Sequence, residues 1–430
     1  MNCPRKTLEI AIVGNGAAAA EAVLSMRAGG YQGEIDLFAD NPYPPYNPML
    51  GTYYVSGTVT PSQCFPFGDG SFYDRNRVRA RLGSVATELD PEARSLATAD
   101  GTRYQYRLCL VATGARTTCP PLPGLIPDGD GSRVFGLRSF DDAVRLSDAL
   151  GRAIQSAAEQ DRKPRGMVLG ASFAGIKVAD VLRQAGMDVL IVEREPFILP
   201  LSAHPDCATV MQEHLMEKGF DVRVGASLCS VESSSDALVA HFSGPDEVEE
   251  ADLLVVCTGS RPNLSFLQPG RVETDVGLVV DEHLETSAPR LYAAGDVAQA
   301  LNPLTGRHEV LALWANARRQ GHVAGLNMVG VHAEYSGSIP CNITHVGDLM
   351  FAGIGCMKEY DELETMPEDG GSTTWAFRNG RLAGFNTLGR ALSPGIILSA
   401  LARGAERCRT RPCCGLDDWM REITWMTLQS

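Results

Sequence analysis

"GASFAGIKVADVLRQAG", Gly170–Gly186, is a glycine turn running straight into a helical repeat, and "IVGNGAAAAEAVLSMRAGG", Ile12–Gly30, is the same device nearer the start of the chain. In the earlier copy a strand, Leu8–Val13, leads into Gly14, Gly16 and Ala19 in the pattern GxGxxA. A helix rich in alanine and leucine follows, then a second strand, "EIDLFAD", ending at Asp40. Strand, turn, helix, strand and acid in that order make a dinucleotide-binding βαβ unit. Small residues let the backbone approach a pyrophosphate, the helix N-terminus attracts its charge, and the acid accepts from a ribose. In the later copy "GMVLG" is the strand, Gly170, Ser172 and Gly175 mark the turn, and "DVLIVERE" carries Glu193 at its end. Glu193 can accept both ribose hydroxyls and would repel a 2′-phosphate, so NADH is expected over NADPH, with Arg194 partly offsetting the repulsion. Lys177 stands on the first turn of that second helix, where an acid would be the more favourable residue.

A chain of 430 residues is too long for one ordinary core, and two or three domains are expected. With 44% apolar and 21% charged residues it reads as a soluble globular protein. The formal charge of −14 argues against a general binder of nucleic acid or membrane surfaces. A local basic face is conceivable in "RNRVRAR", where Arg75, Arg77, Arg79 and Arg81 alternate as they would on one face of a strand, although a solvated edge strand is the plainer reading. The twelve cysteines form no CxxC pair, and Cys408, Cys413 and Cys414 lack the spacing of a zinc site, so no metal centre is expected. Thiols without such a framework, no signal peptide and no stretch long enough to span a bilayer place the protein in the cytoplasm.

Three further strand ends carry small-residue steps. "CLVATGAR" (Cys109–Arg116) contains Thr113 and Gly114, "LLVVCTGSRPN" (Leu253–Asn263) contains Gly259, and "TSAPRLYAAGDVAQ" places Gly295 and Asp296 after a short apolar strand. Such steps let backbone pass close to a cofactor.

Taken together these segments resemble the pyridine nucleotide–disulfide oxidoreductases, flavoproteins with two dinucleotide sites, and within them the ferredoxin and rubredoxin reductases. The resemblance implies an α/β fold with two Rossmann-like domains, one for FAD (1–118 and 252–331) and one for NAD (119–251), followed by a C-terminal α+β interface domain (332–430) through which a homodimer is conceivable. It implies that FAD stays bound at the first turn while NADH visits the second. On that analogy Gly14, Gly16 and Ala19 face the FAD pyrophosphate, Asp40 the adenosine ribose and Val85 the adenine. Thr113, Gly114 and Gly295 pass close to the cofactor, and Asp296 meets the ribityl chain. Gly170, Ser172, Gly175, Glu193 and Gly259 are the NADH counterparts.

The departures lie around the flavin ring. The segment resembling "MLGTYYVSG" (Met49–Gly57) carries a redox cysteine in the disulfide reductases, and alignment from Tyr53 and Tyr54 puts Met49 there. Ferredoxin reductases have a lysine in this loop paired with a glutamate on the NAD-domain helix; here Thr52 and Lys177 hold those positions. A cation moved to the other side of the flavin would stabilise its reduced, anionic form; a lysine pointing to solvent is the alternative. Trp314 and Tyr53 are candidates for the acceptor face, with Glu309 nearby in sequence. The expected reaction is electron transfer from NADH through FAD to a small iron–sulfur carrier. Direct reduction or oxidation of a small molecule, and a non-catalytic FAD subunit of a larger complex, are the alternatives.

Overall fold

The computed structural model describes residues 6–127, 132–234, 237–243, 247–347, 349–368, 371–389 and 393–406. The cysteine group at 408–414 and the arginines beyond Arg403 lie outside them. The chain forms two compact units, one of residues 1–116 and 260–338, the other of 117–259 and 339–430. Their helices are α1 (Ala17–Ala28), α2 (Gly51–Val55), α3 (Ser71–Arg75), α4 (Phe140–Glu159), α5 (Phe173–Gln184), α6 (Pro205–Glu217), α7 (Trp314–Met328) and α8 (Pro394–Ala402).

In the first unit the strand Lys6–Val13 is central, flanked by parallel strands Ile35–Phe38 and Arg103–Val111, with Val78–Arg81 beyond the former. Leu291–Ala293 pairs in parallel with Arg103–Val111. The central strands are continuous apolar runs because both faces are covered, as in parallel sheets generally. Register brings their carboxyl ends level: Val13 lies opposite Phe38 and Val111, and Val111 opposite Ala293. The residues that follow, at 14, 39, 112 and 294, therefore share one edge of the sheet.

One face of that sheet carries α1 and α7. These helices approach backbone to backbone, since a Cβ on Gly321 would stand 2.2 Å from the Ala18 carbonyl oxygen and one on Gly325 would stand 2.5 Å from that of Ala22. Small residues four apart on both helices create this contact. Ser25 Oγ and His322 Nδ1 close it at 2.8 Å.

The second unit repeats the parallel plan, with strands in the order Asp221–Arg223, Asp188–Val192, Arg165–Leu169, Leu253–Val256 and Val134–Gly136. It also contains a five-stranded antiparallel sheet built from 341–388, completed by α8. Helix α6 lies on two strands of that sheet. There Cys207 Sγ meets Ser372 and Thr374, and the buried Asn386 side chain bonds the His204 N–H and the Ser202 carbonyl.

The alternating arginines do not make a basic face. Only Arg79 and Arg81 are on the strand, and both turn to Asp36, buried on the neighbouring strand, with Arg79 also held by Glu34. Arg75 belongs to α3 and bonds Ser71, and Arg77 has a left-handed backbone with φ 49°. A buried carboxylate recruits the nearest cations, which one strand's spacing cannot reveal.

Gly321→Ala places a methyl against backbone that cannot yield, and is expected to cost about 1–3 kcal/mol. Gly151→Ala is the matched control: it lies in α4 with nothing among the described residues within 4 Å of the added Cβ. Removing a helical glycine there should stabilise by about 0.5–1 kcal/mol. Thermal or denaturant unfolding of both variants checks the pair, and opposite signs are the expected result.

Candidate functional site

At the edge of the first sheet, the Gly14 N–H donates to the Phe38 carbonyl at 2.8 Å. Gly14 has φ +114°, and a Cβ on it would stand 2.1 Å from the Ala112 carbonyl oxygen, so no other residue fits. Asn15, 5% exposed, is pinned by its amide to the Tyr43 carbonyl and to Tyr73 Oη, both at 2.8 Å. Gly16 is the N-cap of α1, with no side-chain cap and no acid in the first turn, and its missing Cβ faces open space among the described residues. Ala19 is fully buried beneath it. The helix thus presents its first N–H groups, with their partial positive charge, beside a clearing a Cβ would fill. That donor set fits a pyrophosphate.

Thr113 Oγ1 donates to the Asn263 carbonyl at 2.9 Å, and the Asn263 N–H returns to the Gly114 carbonyl. Gly114, with φ +63°, faces open space among the described residues. Gly295 and Asp296 follow the Ala293 strand end, and the Gly295 N–H is taken by Gln320 Oε1 at 2.7 Å. Asp40 is exposed, with Asn41 donating to its carboxylate. The Gly83 N–H bonds the Asn41 carbonyl, which draws the exposed Val85 loop towards Asp40.

The second unit repeats these contacts. The Gly170 N–H donates to the Val192 carbonyl at 2.7 Å, Gly170 has φ +101°, and its missing Cβ would stand 2.6 Å from the Cys257 carbonyl oxygen. A Cβ on Gly175 would stand 1.9 Å from the Gly170 carbonyl oxygen, which is the close helix-to-turn packing required of the third glycine. Gly259, φ +111°, faces open space among the described residues. Ser172 differs from Gly16: its hydroxyl accepts from the Gly175 N–H and donates to the Cys257 carbonyl. Glu193, 8% exposed, accepts from the Ala171 N–H at 2.8 Å and the Glu195 N–H at 3.0 Å. A carboxylate offers about four lone-pair directions, so two remain for ribose hydroxyls.

The hydrogen-bond register aligns the two acids. Ala39 N–H bonds Arg81 O as Glu193 N–H bonds Arg223 O, so Asp40 falls one residue beyond the position matching Glu193.

Also in the first unit, Met49 lies in the short turn Pro48–Leu50 with 64% of its surface exposed, and Tyr53 on α2 is 41% exposed. Trp314 opens α7. Its ring packs on Phe67, the Arg318 guanidinium lies 5.1 Å above it, and its buried Nε1 has no hydrogen-bond partner among the described residues. Trp314, Arg318, Arg319, His322 and Glu21 line a cavity of about 320 Å³. Glu309 is engaged by Asn302 and Thr305. In the second unit, Lys177 Nζ bonds Asp180 Oδ2 at 3.1 Å on its own helix, so its ammonium is compensated rather than simply solvated. Cys64 is buried, and its carbonyl takes the Asn47 N–H at the base of the Met49 turn; burial pushes its thiol pKa up.

The sequence-derived residues thus gather into two groups. Gly14, Gly16, Ala19, Thr113, Gly114, Gly295 and Asp296 share one sheet edge with Asp40, and Gly170, Ser172, Gly175, Glu193 and Gly259 share the other. Asn15 and Gln320 were not singled out from sequence. The available signal was a polar residue inside a run of small ones, and an Asn316/Gln320 pair four apart on one helical face.

Two βαβ units, each with a glycine turn at the carboxyl edge and an acid beyond the next strand, define a two-dinucleotide oxidoreductase. The chain belongs to the pyridine nucleotide-disulphide oxidoreductase family, whose pattern matches residues 8–321, and uses FAD and NAD(H) as that family does. It is 30% identical over 336 residues to the NADH-dependent phenylglyoxylate dehydrogenase subunit epsilon of Aromatoleum evansii, covering 78% of this chain and 76% of the relative. It is 27% identical over 363 residues to the rubredoxin-NAD(+) reductase of Ectopseudomonas oleovorans, covering 83% and 89%. In fold it resembles the reductase in a covalent putidaredoxin reductase–putidaredoxin complex, with a TM-score of 0.85 over the whole of both chains at 20% identity. No described helix is long and apolar enough to cross a membrane.

Of the eight described cysteines, all free, Cys229 alone is exposed. Burial raises the thiol pKa of Cys64, and that of Cys257 to about 12, so both stay protonated at neutral pH. Iodoacetamide at pH 7.5 followed by peptide mapping is expected to modify Cys229 well ahead of Cys64 and Cys257. Rapid labelling of Cys64 in the folded protein would show a reactive thiol beside the Met49 turn.

Proposed function

We propose that the protein takes electrons from NADH through FAD and passes them to a small iron–sulfur carrier. The observation that carries this reading is Met49, exposed in the turn where the disulfide reductases have their redox cysteine. A thioether forms no disulfide, so thiol relay chemistry has no residue there. The named rubredoxin-NAD(+) reductases, at 27–28% identity over 83% of the chain, support the same choice of acceptor.

FAD, when bound, supplies hydride acceptance and onward electron release. The chain supplies position and charge. Gly14, Gly16 and the start of α1 hold the pyrophosphate, with Ala19 allowing close packing. Asp40 and Val85 serve the adenosine end, and Thr113, Gly114, Gly295 and Asp296 the ribityl side. Gly170, Ser172, Gly175 and Gly259 receive NADH, and Glu193 takes its ribose. Trp314 and Tyr53 form the acceptor side. Lys177 favours the reduced flavin, to a degree that Asp180 reduces. With NADH as donor, the cytoplasm is the compartment we infer.

Docking of an acidic carrier needs a local cationic surface, since the chain is itself at −14. Arg318 and Arg319 around Trp314 supply one. A second reading, that the protein is the electron-transfer subunit of a larger NADH-dependent dehydrogenase, draws on the subunit relative from Aromatoleum evansii. Purification from the native host decides between them: co-elution with further subunits favours the second.

The purified yellow protein should bleach on anaerobic addition of NADH and recover colour with an oxidised rubredoxin or ferredoxin. Dithionite should be taken up at two electrons per flavin, without a long-wavelength thiolate band. Four electrons and such a band would restore a disulfide mechanism.

Glu193→Ala should raise the KM for NADH about ten- to a hundredfold, since hydrogen bonds to a charged group contribute about 1.5–3 kcal/mol. The KM for NADPH should change less, because the repulsion disappears with the ribose contacts. Steady-state kinetics with both donors tests this, and unchanged KM values would remove Glu193 from the site.

A further inference from the structure

Asn316, Gln320 and Tyr335 are buried beside one another, with 3%, 1% and 2% of their surfaces exposed. Polar groups so deep need partners, and these three are joined in a line. The Gly295 N–H donates to Gln320 Oε1 at 2.7 Å. The Gln320 amide and the Ser338 side chain are neighbours of the Tyr335 hydroxyl. Tyr335 Oη donates to Asn316 Oδ1 at 2.6 Å, and Asn316 Nδ2 donates to the Leu311 carbonyl at 2.9 Å.

Both ends of the line are backbone. Gly295 can only give a proton, and the Leu311 carbonyl can only accept one. The Gly295 end sets the amide of Gln320, which turns its oxygen to Gly295 and so leaves its NH₂ towards Tyr335. The tyrosine hydroxyl donates to Asn316, whose NH₂ faces Leu311. Neither amide can flip without unpairing buried groups on both sides. The line starts at the Gly295–Asp296 turn and ends at Leu311, shortly before the N-cap of α7 at Leu313 and before Trp314. Gly295 has φ +85°, and its missing Cβ would stand 3.1 Å from Ala18 Cβ and 3.5 Å from Ala317 Cβ, so α1 and α7 hold the turn from both sides.

We propose that Gln320, through Tyr335 and Asn316, is a positioning residue that sets the Gly295–Asp296 turn for flavin and ties it to the entrance of α7. The aspartate beside the ribityl chain and the aromatic at the acceptor side are then fixed by one polar line. This rests on the reading of Asp296 as a flavin contact.

Gln320→Met keeps length and bulk while removing both hydrogen bonds. Titration of its apoprotein with FAD, followed by flavin fluorescence, should show Kd raised at least tenfold. The Gly295 amide of the apoprotein should exchange faster by more than the amides of neighbouring core strands, which report any general loss of stability. Gln320→Glu keeps an acceptor for Gly295 and should recover most of the affinity. Unchanged Kd and Gly295 exchange in Gln320→Met would overturn the proposal. So would loss of FAD with Gly295 exchange unaltered, because the effect would then bypass the turn. If Gln320→Met does not fold, Tyr335→Phe removes one hydroxyl from the line, with a few-fold rise in Kd expected and no rise overturning it. Asp296→Ala measured alongside separates the two readings. Normal FAD binding there refutes the flavin contact, while Gly295 exchange in Gln320→Met still decides whether the line holds the turn.

Discussion

At each glycine turn a backbone carbonyl occupies the space a side chain would need, Ala112 O against Gly14 and Cys257 O against Gly170. Everything at the two sheet edges depends on this contact. It lets the loop after the neighbouring strand lie against the turn, and it requires a left-handed backbone that L side chains rarely adopt. The turn then delivers the chain into its helix with N–H groups aimed past the sheet edge. Any larger residue would separate loop from turn, and the ligand would lose donors from both. The same N–H to strand-end carbonyl bond, Gly14 to Phe38 and Gly170 to Val192, anchors each turn from the other side. Two units that share so little sequence outside the turns share these atoms.

The turns differ at the helix cap. Among the described residues no side chain caps α1, so the N–H groups at its start depend on what binds there. In α5 the Ser172 hydroxyl already accepts from the Gly175 N–H. A net hydrogen bond contributes about 0.5–1.5 kcal/mol, so a self-satisfied turn gains less from a pyrophosphate than a bare one. On the proposed function the asymmetry has a purpose: the first site retains its flavin through every cycle, and the second must release its nicotinamide after each. Glu193 works in the same direction, because it satisfies the Ala171 and Glu195 N–H groups and keeps the empty site in shape.

The sheet-edge groups were legible in sequence because their chemistry is local. A turn of fixed length, a small residue and an acid beyond the next strand are all set by spacing along one βαβ unit, and Gly14, Gly170 and Glu193 fall where that spacing puts them. What could not be read depends on contacts distant in sequence. Asp36 lies about forty residues from Arg79 and Arg81, with a count of 43 to the first of them, and it converts a basic strand into an internal ion pair. Asn15 meets Tyr73 across 58 residues, and Gln320 meets Gly295 across 25. Lys177 is a different case: Asp180 is three residues away on the same helix, and the i,i+3 spacing was visible.

The net charge of −14 bears on how an acidic carrier could approach. Beyond a Debye length, about 8 Å at physiological ionic strength, the chain's overall repulsion is screened, and only charges close to the docking point act. Around Trp314 those charges are Arg318 and Arg319, against Glu21. Arg318 is already bonded to Glu21 at 2.7 Å and stacked on Trp314, while Arg319 donates to Ser336 and to the Gly337 carbonyl. Groups so held lose little freedom on meeting a partner, which lowers the ordering cost of docking. Their compensated charge gives weak long-range attraction, however, so on the proposed function this surface would select orientation more than it would accelerate encounter. On the proposed function, a carrier that docks at this aromatic edge, takes an electron and leaves is served by that balance, since strong attraction would slow its departure.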